Sequence, residues 1–203
     1  MRTLVIDTAT AACSIALIED GAVIARAHRV VGRGHAEQLV PMIAALPDGG
    51  RAARILVDVG PGSFTGLRVG IAAARGLALG WRAEVAGYSS LALIAARGFA
   101  DRLTDVLAVV IEGGHGEVFM QPFAPGPAPL ADLASLKPEA AALAIAGRPA
   151  IGNGLRWLHA IDPTRELRDA LPDAADVLLL PATLCTLPPK PIYGRAPDAR
   201  PPV

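Results

Sequence analysis

The chain has 203 residues and a mass of 20.8 kDa, enough for one large domain or two small ones. Hydrophobic residues make up 52% and charged residues 19%, which excludes a disordered chain for the bulk of the sequence. The formal net charge is +0 and aromatic residues make up only 4%, which disfavours a protein that binds nucleic acid by itself.

Targeting and redox signals are few. The apolar run Thr3–Ile6 meets Asp7 at once, so we predict no secretory signal, and no apolar stretch is long enough to predict a membrane span. Cys13 and Cys185 lie far apart, without the spacing of a metal site or a disulfide framework. Such cysteine usage is typical of a reducing compartment, and we expect a cytoplasmic protein.

The first half of the chain alternates between strand and helix patterns. Three strands are predicted to form an antiparallel meander, with a tight turn at Asp20-Gly21: Thr3–Ile6, Cys13–Ile18 and Val23–Val31. Apolar spacing then predicts three helices with strands between them: His35–Leu46, Ile55–Val57, Phe64–Gly80, Glu84–Ala86 and Ser90–Phe99. This order is typical of an α/β domain with a mixed sheet.

The second half of the chain begins with a pattern similar to that of the first half. Near Thr104, the strand Val106–Ile111 is followed by Glu112, a glycine turn and the strand Glu117–Gln121, which repeats the opening design. We therefore expect two lobes, residues 1–103 and 104–203. Further on, the sequence predicts a loop, two short helices and an extended proline-rich tail: Pro122–Pro129, Pro138–Leu143, Gly154–Ile161, and Pro188–Pro191 with Pro197–Pro202.

A glycine-rich turn, Gly60–Gly66, lies between a predicted strand and a predicted helix, where phosphate loops occur. Gly66 is followed by Leu67, whereas a Walker A loop needs lysine there. The glycine spacing also exceeds that of the dinucleotide motif by one residue. We predict a tight strand-to-helix turn with Ser63 as the helix N-cap.

Metal-site motifs are weak. His35-Ala36-Glu37 resembles the His-x-Glu of zinc deaminases but lacks the Pro-Cys-x-x-Cys partner, so His35 is expected to cap or cover a helix. The histidines have no mutual spacing suited to a metal: His28, His35, His115 and His159. Asp7 and Glu112 end equivalent strands, and they either hold Mg²⁺ across a cleft or lie as exposed acids at strand ends.

The predicted helix Phe64–Gly80 carries only two charges, Arg68 and Arg75. Small residues recur every four positions and form a ridge that allows close approach: Gly66, Gly70, Ala74 and Ala78. So apolar a helix must be buried on its own sheet and also on a neighbour, either the preceding helix or another protein. We predict that a partner covers a patch on these two helices: Leu39, Met42, Ile43, Leu46, Gly66, Leu67, Gly70, Ile71, Ala74 and Ala78.

Several segments match one known family along the whole chain, most strongly in the first half. They are Leu4–Thr10 with Cys13–Leu17, His35–Leu39 with Pro41, Gly60–Gly70, Gly116–Phe119, and Pro191–Ala199. In these segments the sequence resembles the TsaB (YeaZ) family.

The resemblance implies a reduced, two-lobed form of the actin-like ATPase and sugar-kinase fold. Members of this family are non-catalytic subunits of the bacterial machinery that adds threonylcarbamoyl to N6 of the adenosine 3′ to the anticodon in ANN-decoding tRNAs. The resemblance therefore implies a catalytic paralogue, TsaD, as the partner and an ATPase, TsaE, in the same complex. We expect the patch on the two helices to be covered either by TsaD or by a second copy of this chain. The net charge of +0 and the few aromatic residues predict weak or indirect contact with tRNA, and no cofactor is expected.

Four positions correspond to degenerate phosphate loops of this superfamily: Asp7, Ala9, Thr10 and Glu112. Ala9 stands where the superfamily has glycine, and its Cβ crowds the approach of a phosphate. Glu112 replaces the second aspartate, and Tyr88–Ile94 lacks the His-x-x-x-His metal pair of the catalytic paralogue. These departures favour a scaffold subunit over the alternative, an ATP-hydrolysing or metallopeptidase-like enzyme.

Overall fold

The computed structural model describes residues 1–101, 105–164 and 167–195. The predicted lobe boundary at Thr104 and the tail segment Pro197–Pro202 lie outside the described residues, as do the motif positions 196–199. The boundary between the lobes therefore stays a prediction.

The alternating apolar residues at the start of the chain form the predicted meander, with β1 at Arg2–Asp7, β2 at Ala12–Glu19 and β3 at Ala22–Val30. β1 also pairs in parallel with β4 (Arg54–Asp58), which pairs in parallel with β5 (Glu84–Tyr88). Within the described residues, this mixed sheet has five strands in the order β3-β2-β1-β4-β5.

Three helices cover the two faces of this sheet: α1 (His35–Ala44), α2 (Phe64–Trp81) and α3 (Ser90–Ala100). Because successive strand residues point to opposite faces, Leu4 and Ile6 pack with α1 and α2, whereas Val5 packs with α3. α1 ends two residues earlier than predicted, before a 3₁₀ turn at Pro47–Gly50. His35 begins α1 without capping it, and its Nε2 lies 3.1 Å from the Ala12 carbonyl oxygen.

The second sheet is also mixed, and α3 packs on one of its faces. Among the described residues its strand order is β11-β10-β6-β7-β8, with β9 also paired to β7. Two short helices pack on its other face. The bounds are β6 Leu107–Gly114, β7 Glu117–Ala124, β8 Ala128–Pro129, β9 Ala134–Leu136, α4 Pro138–Ile145, β10 Ala150–Ile151, α5 Leu155–His159 and β11 Leu167–Arg168.

The loop prediction for Pro122–Pro129 is wrong at both ends, because β7 runs on to Ala124 and β8 begins at Ala128. The Pro122 carbonyl accepts a hydrogen bond from the Leu130 N–H at 2.9 Å, so the N–H that proline lacks would also have faced the short strand β8.

The chain returns to the first sheet at its end. Short 3₁₀ turns at Ala174–Leu179 and Ala182–Leu184 precede an irregular tail. Leu187 pairs with Gly87 of β5, and the Ile192 N–H donates to the Val59 carbonyl at 2.7 Å. The tail then lies against the second sheet, where Arg195 pairs with Glu117 at 3.6 Å. Pro188–Pro191 forms no helix or strand, but it bends at Pro189 and Lys190, where the Lys190 N–H donates to the Pro188 carbonyl at 2.7 Å, so the prediction of an extended segment is wrong there.

The predicted fold class is confirmed, since the chain is an α/β protein with two mixed sheets flanked by helices. No helix in the described part of the chain is long and apolar enough to cross a membrane.

Candidate functional site

The glycine turn after β4 packs backbone against backbone on the turn after β1. A Cβ on Gly62 would lie 2.2 Å from the Ala9 carbonyl oxygen, and one on Gly66 would lie 2.0 Å from that of Thr8. The Ser63 N–H donates to the Ala9 carbonyl at 2.6 Å. These contacts fill the space beside the start of α2, and they confirm the predicted tight turn.

The N-cap prediction is also confirmed. The Ser63 hydroxyl accepts a hydrogen bond from the Gly66 N–H at 3.2 Å, which satisfies one of the free donors at the start of α2. The Thr8 hydroxyl donates to the Gly66 carbonyl at 2.8 Å and ties the first turn of α2 to the end of β1.

Asp7 is fully buried rather than exposed at a strand end. Its carboxylate accepts hydrogen bonds from the Ala9 N–H at 3.3 Å and the Tyr88 hydroxyl at 3.1 Å. Burial raises the pKa of Asp7 to about 6. The Thr10 hydroxyl is likewise used locally, as an acceptor from the Ala12 N–H.

Glu112 behaves differently, because it lines an open cleft of about 570 Å³ beside the second sheet. Its carboxylate forms an ion pair with Arg156, and its backbone N–H donates to the Asn153 side chain at 3.2 Å. Asp7 does not line this cleft. The structure therefore does not bring Asp7 and Glu112 together as a pair of Mg²⁺ ligands. In the residues that the structure describes, no three His, Cys, Asp or Glu side chains are grouped as a metal site.

The structure places the predicted partner patch inside the chain itself. All ten of its residues are buried in the single chain. A Cβ on Gly70 would lie 2.3 Å from the Thr8 hydroxyl oxygen, so the ridge of small residues faces its own sheet. The prediction that these residues form an exposed patch is wrong, because the ridge lets α2 lie close to β1 and β4.

The solvent side of the same two helices carries apolar residues among the exposed charges of Glu37, Arg68 and Arg75. We define the outer helical face as six exposed residues of α1 and α2: Ala36, Val40, Ala44, Ala72, Gly76 and Leu79. Val40 is 58% exposed and Leu79 is 85% exposed. A Cβ on Gly76 would meet no heavy atom within 4 Å. Exposed apolar side chains that lie together in this way are typical of a surface that another chain covers.

Sequence reasoning missed this outer helical face and also missed Asp58. The signal for the face was present, since Ala72, Gly76 and Leu79 recur at helical spacing opposite the buried ridge.

Asp58 ends β4 next to Asp7, and its carboxyl accepts hydrogen bonds from the N–H groups of Gly60 at 2.7 Å and Ser90 at 3.1 Å. It thereby holds the starts of both α2 and α3.

Comparisons with known proteins agree on tRNA threonylcarbamoyladenosine biosynthesis. Residues 27–153 match the family model described as TsaD, tRNA N6-adenosine threonylcarbamoyltransferase. The chain is 39% identical over 127 residues to the Escherichia coli tRNA threonylcarbamoyladenosine biosynthesis protein TsaB. That match covers 59% of this chain and 53%, about half, of the E. coli protein.

Matches over nearly the full length come from two further proteins. An uncharacterised protein of Mycobacterium bovis is 34% identical over 98% of this chain and 93% of its own length. The structure of YeaZ from Pseudomonas aeruginosa superposes with a TM-score of 0.75 and 31% identity, covering 88% of this chain and 89% of that chain. The chain therefore belongs to the TsaB (YeaZ) family of tRNA threonylcarbamoyladenosine biosynthesis.

Proposed function

We propose that the chain is a non-catalytic subunit that binds TsaD through the outer helical face and thereby activates it. In this role TsaD transfers the threonylcarbamoyl group to N6 of the adenosine 3′ to the anticodon of ANN-decoding tRNAs. The observation that carries the proposal is the apolar, small-residue surface of α1 and α2, which contains the exposed Leu79. A surface of this kind allows a second pair of helices to approach closely.

The non-catalytic role is supported by Asp7 and Glu112, whose carboxylates already have partners within the chain. Asp7 is buried and bonded to Tyr88, and the two turns beside it contact each other directly. Glu112 is already paired with Arg156. Isothermal titration of the isolated chain with ATP and Mg²⁺ tests this part, and tight binding would instead favour the ATP-hydrolysing alternative.

Two leucines give a matched test of the docking surface. Leu79 on α2 and Leu143 on α4 are 85% and 81% exposed, and each is the third residue from the end of its helix. We expect Leu79→Lys to weaken TsaD binding by at least ~10-fold, because a charge must then be buried at the contact. Leu143→Lys should bind TsaD as the wild type does.

Binding is measured by titration with TsaD from the same organism. Modification is measured as the threonylcarbamoyladenosine content of tRNA after a reaction that contains TsaD and TsaE. Both variants should keep the wild-type thermal unfolding temperature, because neither leucine is buried. Equal TsaD binding by the two variants would place the docking surface elsewhere. Full modification by TsaD without this chain would refute the activating role.

The same face also provides for a homodimer when TsaD is absent, since an exposed apolar face on one copy can cover that of another. Sedimentation should then show a dimer for the wild type and a monomer for Leu79→Lys.

Contact with tRNA is proposed to be weak for the isolated chain because its net charge is +0. Sub-micromolar binding of tRNA by the isolated chain at physiological salt would contradict this.

A further inference from the structure

Two carboxyl groups lie side by side in the interior of the first sheet. Asp7 and Asp58 follow directly after Ile6 and Val57, the last paired positions of the parallel strands β1 and β4. Adjacent strands lie roughly 4.8 Å apart, so equivalent side chains on one face are neighbours. Both aspartates are fully buried. Among the described residues, no Lys, Arg or His forms an ion pair with either carboxyl.

The hydrogen bonds of the two groups are unequal. Both oxygens of Asp7 accept from donors, one from the Ala9 N–H and the other from the Tyr88 hydroxyl. Oδ1 of Asp58 accepts from the Gly60 and Ser90 N–H groups. Oδ2 of Asp58 is buried and has no donor. An ionised carboxylate with an unpaired buried oxygen, beside a second negative charge, is strongly disfavoured.

We propose that Asp58 is protonated in the folded chain at neutral pH and that its Oδ2 hydroxyl donates a hydrogen bond to Asp7. The two carboxyl groups then share one proton. Oδ2 of Asp58, which otherwise has no hydrogen-bond partner, becomes a donor to the Asp7 carboxylate. The proton leaves Oδ1 of Asp58 free to hold the N–H groups at the starts of α2 and α3. This assignment does not depend on the proposed role in tRNA modification.

Among the described residues, the other titratable groups beside the pair are Tyr88, Cys13 and Asp173. Arg29 acts on Cys13 and Arg26 pairs with Asp173, but neither arginine pairs with Asp7 or Asp58. Tyr88 on β5 donates its hydroxyl proton to Asp7, Cys13 lies on β2, and Asp173 adds negative charge next to Asp7. Burial raises the pKa of Asp58 well above its ordinary value, and the negative charge of Asp7 raises it further. Burial also raises the pKa of Asp7.

The sign of the pH effect follows from these directions. A carboxyl whose pKa is raised by folding binds more protons in the folded chain than in the unfolded chain. The carboxyl contributes fully to the free energy of unfolding below the ordinary aspartate pKa, and this contribution is lost as the pH rises through the pKa of the folded chain. Stability should therefore fall from about pH 4 upwards, through the pKa of Asp7 near 6 and on towards that of Asp58.

Asp58→Asn is the sharpest variant, because asparagine reproduces the protonated group. Its carbonyl oxygen can accept from Gly60 and Ser90, and its amide can donate to Asp7. The wild-type urea midpoint should decline between pH 5 and pH 8, whereas that of Asp58→Asn should decline much less and exceed the wild-type midpoint at pH 8. Asp132→Asn, which changes an exposed acid, should keep the wild-type profile.

Proton release gives a second measurement. Unfolding at pH 7 should release about one proton more from the wild type than from Asp58→Asn, and the infrared spectrum of the folded wild type should contain a protonated carboxyl band that the variant lacks. If Asp58→Asn fails to fold, the wild-type band and its loss at high pH still decide the question. Absence of that band at pH 7, or equal pH profiles in the two proteins, would overturn the proposal. Stabilisation of the wild type by Mg²⁺ or Na⁺ at pH 8, absent in Asp58→Asn, would also overturn it by assigning a metal ion to the place of the proton.

Discussion

At the scale of single residues, two glycines of α2 have opposite surroundings. Gly70 faces β1, where an added Cβ would lie 2.3 Å from the Thr8 hydroxyl oxygen. Gly76 lies six residues later on the solvent side, where an added Cβ would meet nothing within 4 Å. Both occupy the interior of the same helix, so their intrinsic cost to helix stability is similar.

We therefore expect opposite effects from one substitution. Gly76→Ala should stabilise the chain by ~0.5–1 kcal/mol, because alanine loses less conformational freedom on folding. Gly70→Ala should destabilise it by ~1–3 kcal/mol, because the added methyl group forces α2 away from the sheet. Urea denaturation at fixed pH measures both, and destabilisation by Gly76→Ala would contradict the exposed position of that residue.

At the scale of elements, the sequence predicts where α2 lies but not which side meets a partner. The ridge of Gly66, Gly70, Ala74 and Ala78 permits close approach to any neighbour, and nothing in the spacing distinguishes the chain's own sheet from another protein. The choice depends on Thr8, whose hydroxyl reaches the Gly66 carbonyl across 58 positions of sequence. Contacts of that range cannot be read from local periodicity.

Other elements show the same limit. The meander, α1, α2 and α3 follow from periodicity and turn residues, because those signals are local. The sequence does not predict β8 because the prolines and the glycine around it, Pro125–Pro129, favour a loop, whereas pairing with β7 overrides them. Asp58 was missed as well, because its importance depends on the parallel pairing that places it beside Asp7.

The prolines of the tail predict that it has no regular secondary structure, but they do not predict its contacts. The Tyr193 ring lies 5.6 Å from that of Phe64, and its hydroxyl lies 3.4 Å from two guanidinium nitrogens of Arg68. Arg68 itself lies over the Phe64 ring, at 3.7 Å from its centre. These contacts attach the tail to the first turns of α2.

We expect Tyr193→Ala to lower stability by ~1 kcal/mol, since it removes an aromatic pair that is half-exposed. Tyr193→Phe keeps the ring and loses only a long hydrogen bond, so it should lie close to the wild type. Thermal unfolding compares the two. An equal loss in both variants would mean that the hydroxyl, and not the ring, holds the tail.

At the scale of the whole molecule, α3 belongs to both sheets. Leu91, Leu93 and Ile94 are buried in one cluster that contains Val5 and Leu56 of the first sheet. The same cluster contains residues of the second sheet: Leu107, Val109, Ile111, Phe119 and Phe123. A core shared in this way couples the unfolding of the two sheets.

Calorimetry should therefore show one transition, with equal calorimetric and van't Hoff enthalpies. Leu93→Ala should lower stability by ~2–5 kcal/mol and leave the transition single, because the cavity lies in the shared core. Two separate transitions, with only one shifted by Leu93→Ala, would show that the lobes fold independently.

The return of the tail to the first sheet has a consequence for synthesis of the chain on the ribosome. Gly87 and its partner Leu187 are 100 residues apart, and the separation between Val59 and its partner Ile192 is larger still. At about 5–20 residues per second, roughly 5–20 s pass between translation of the two partners. During that interval the edge of β5 and the loop before α2 have no tail beside them. The first lobe of a nascent chain therefore cannot complete its native contacts until Leu187 and Ile192 have been translated, and until then the edge of β5 is open to pairing with another chain.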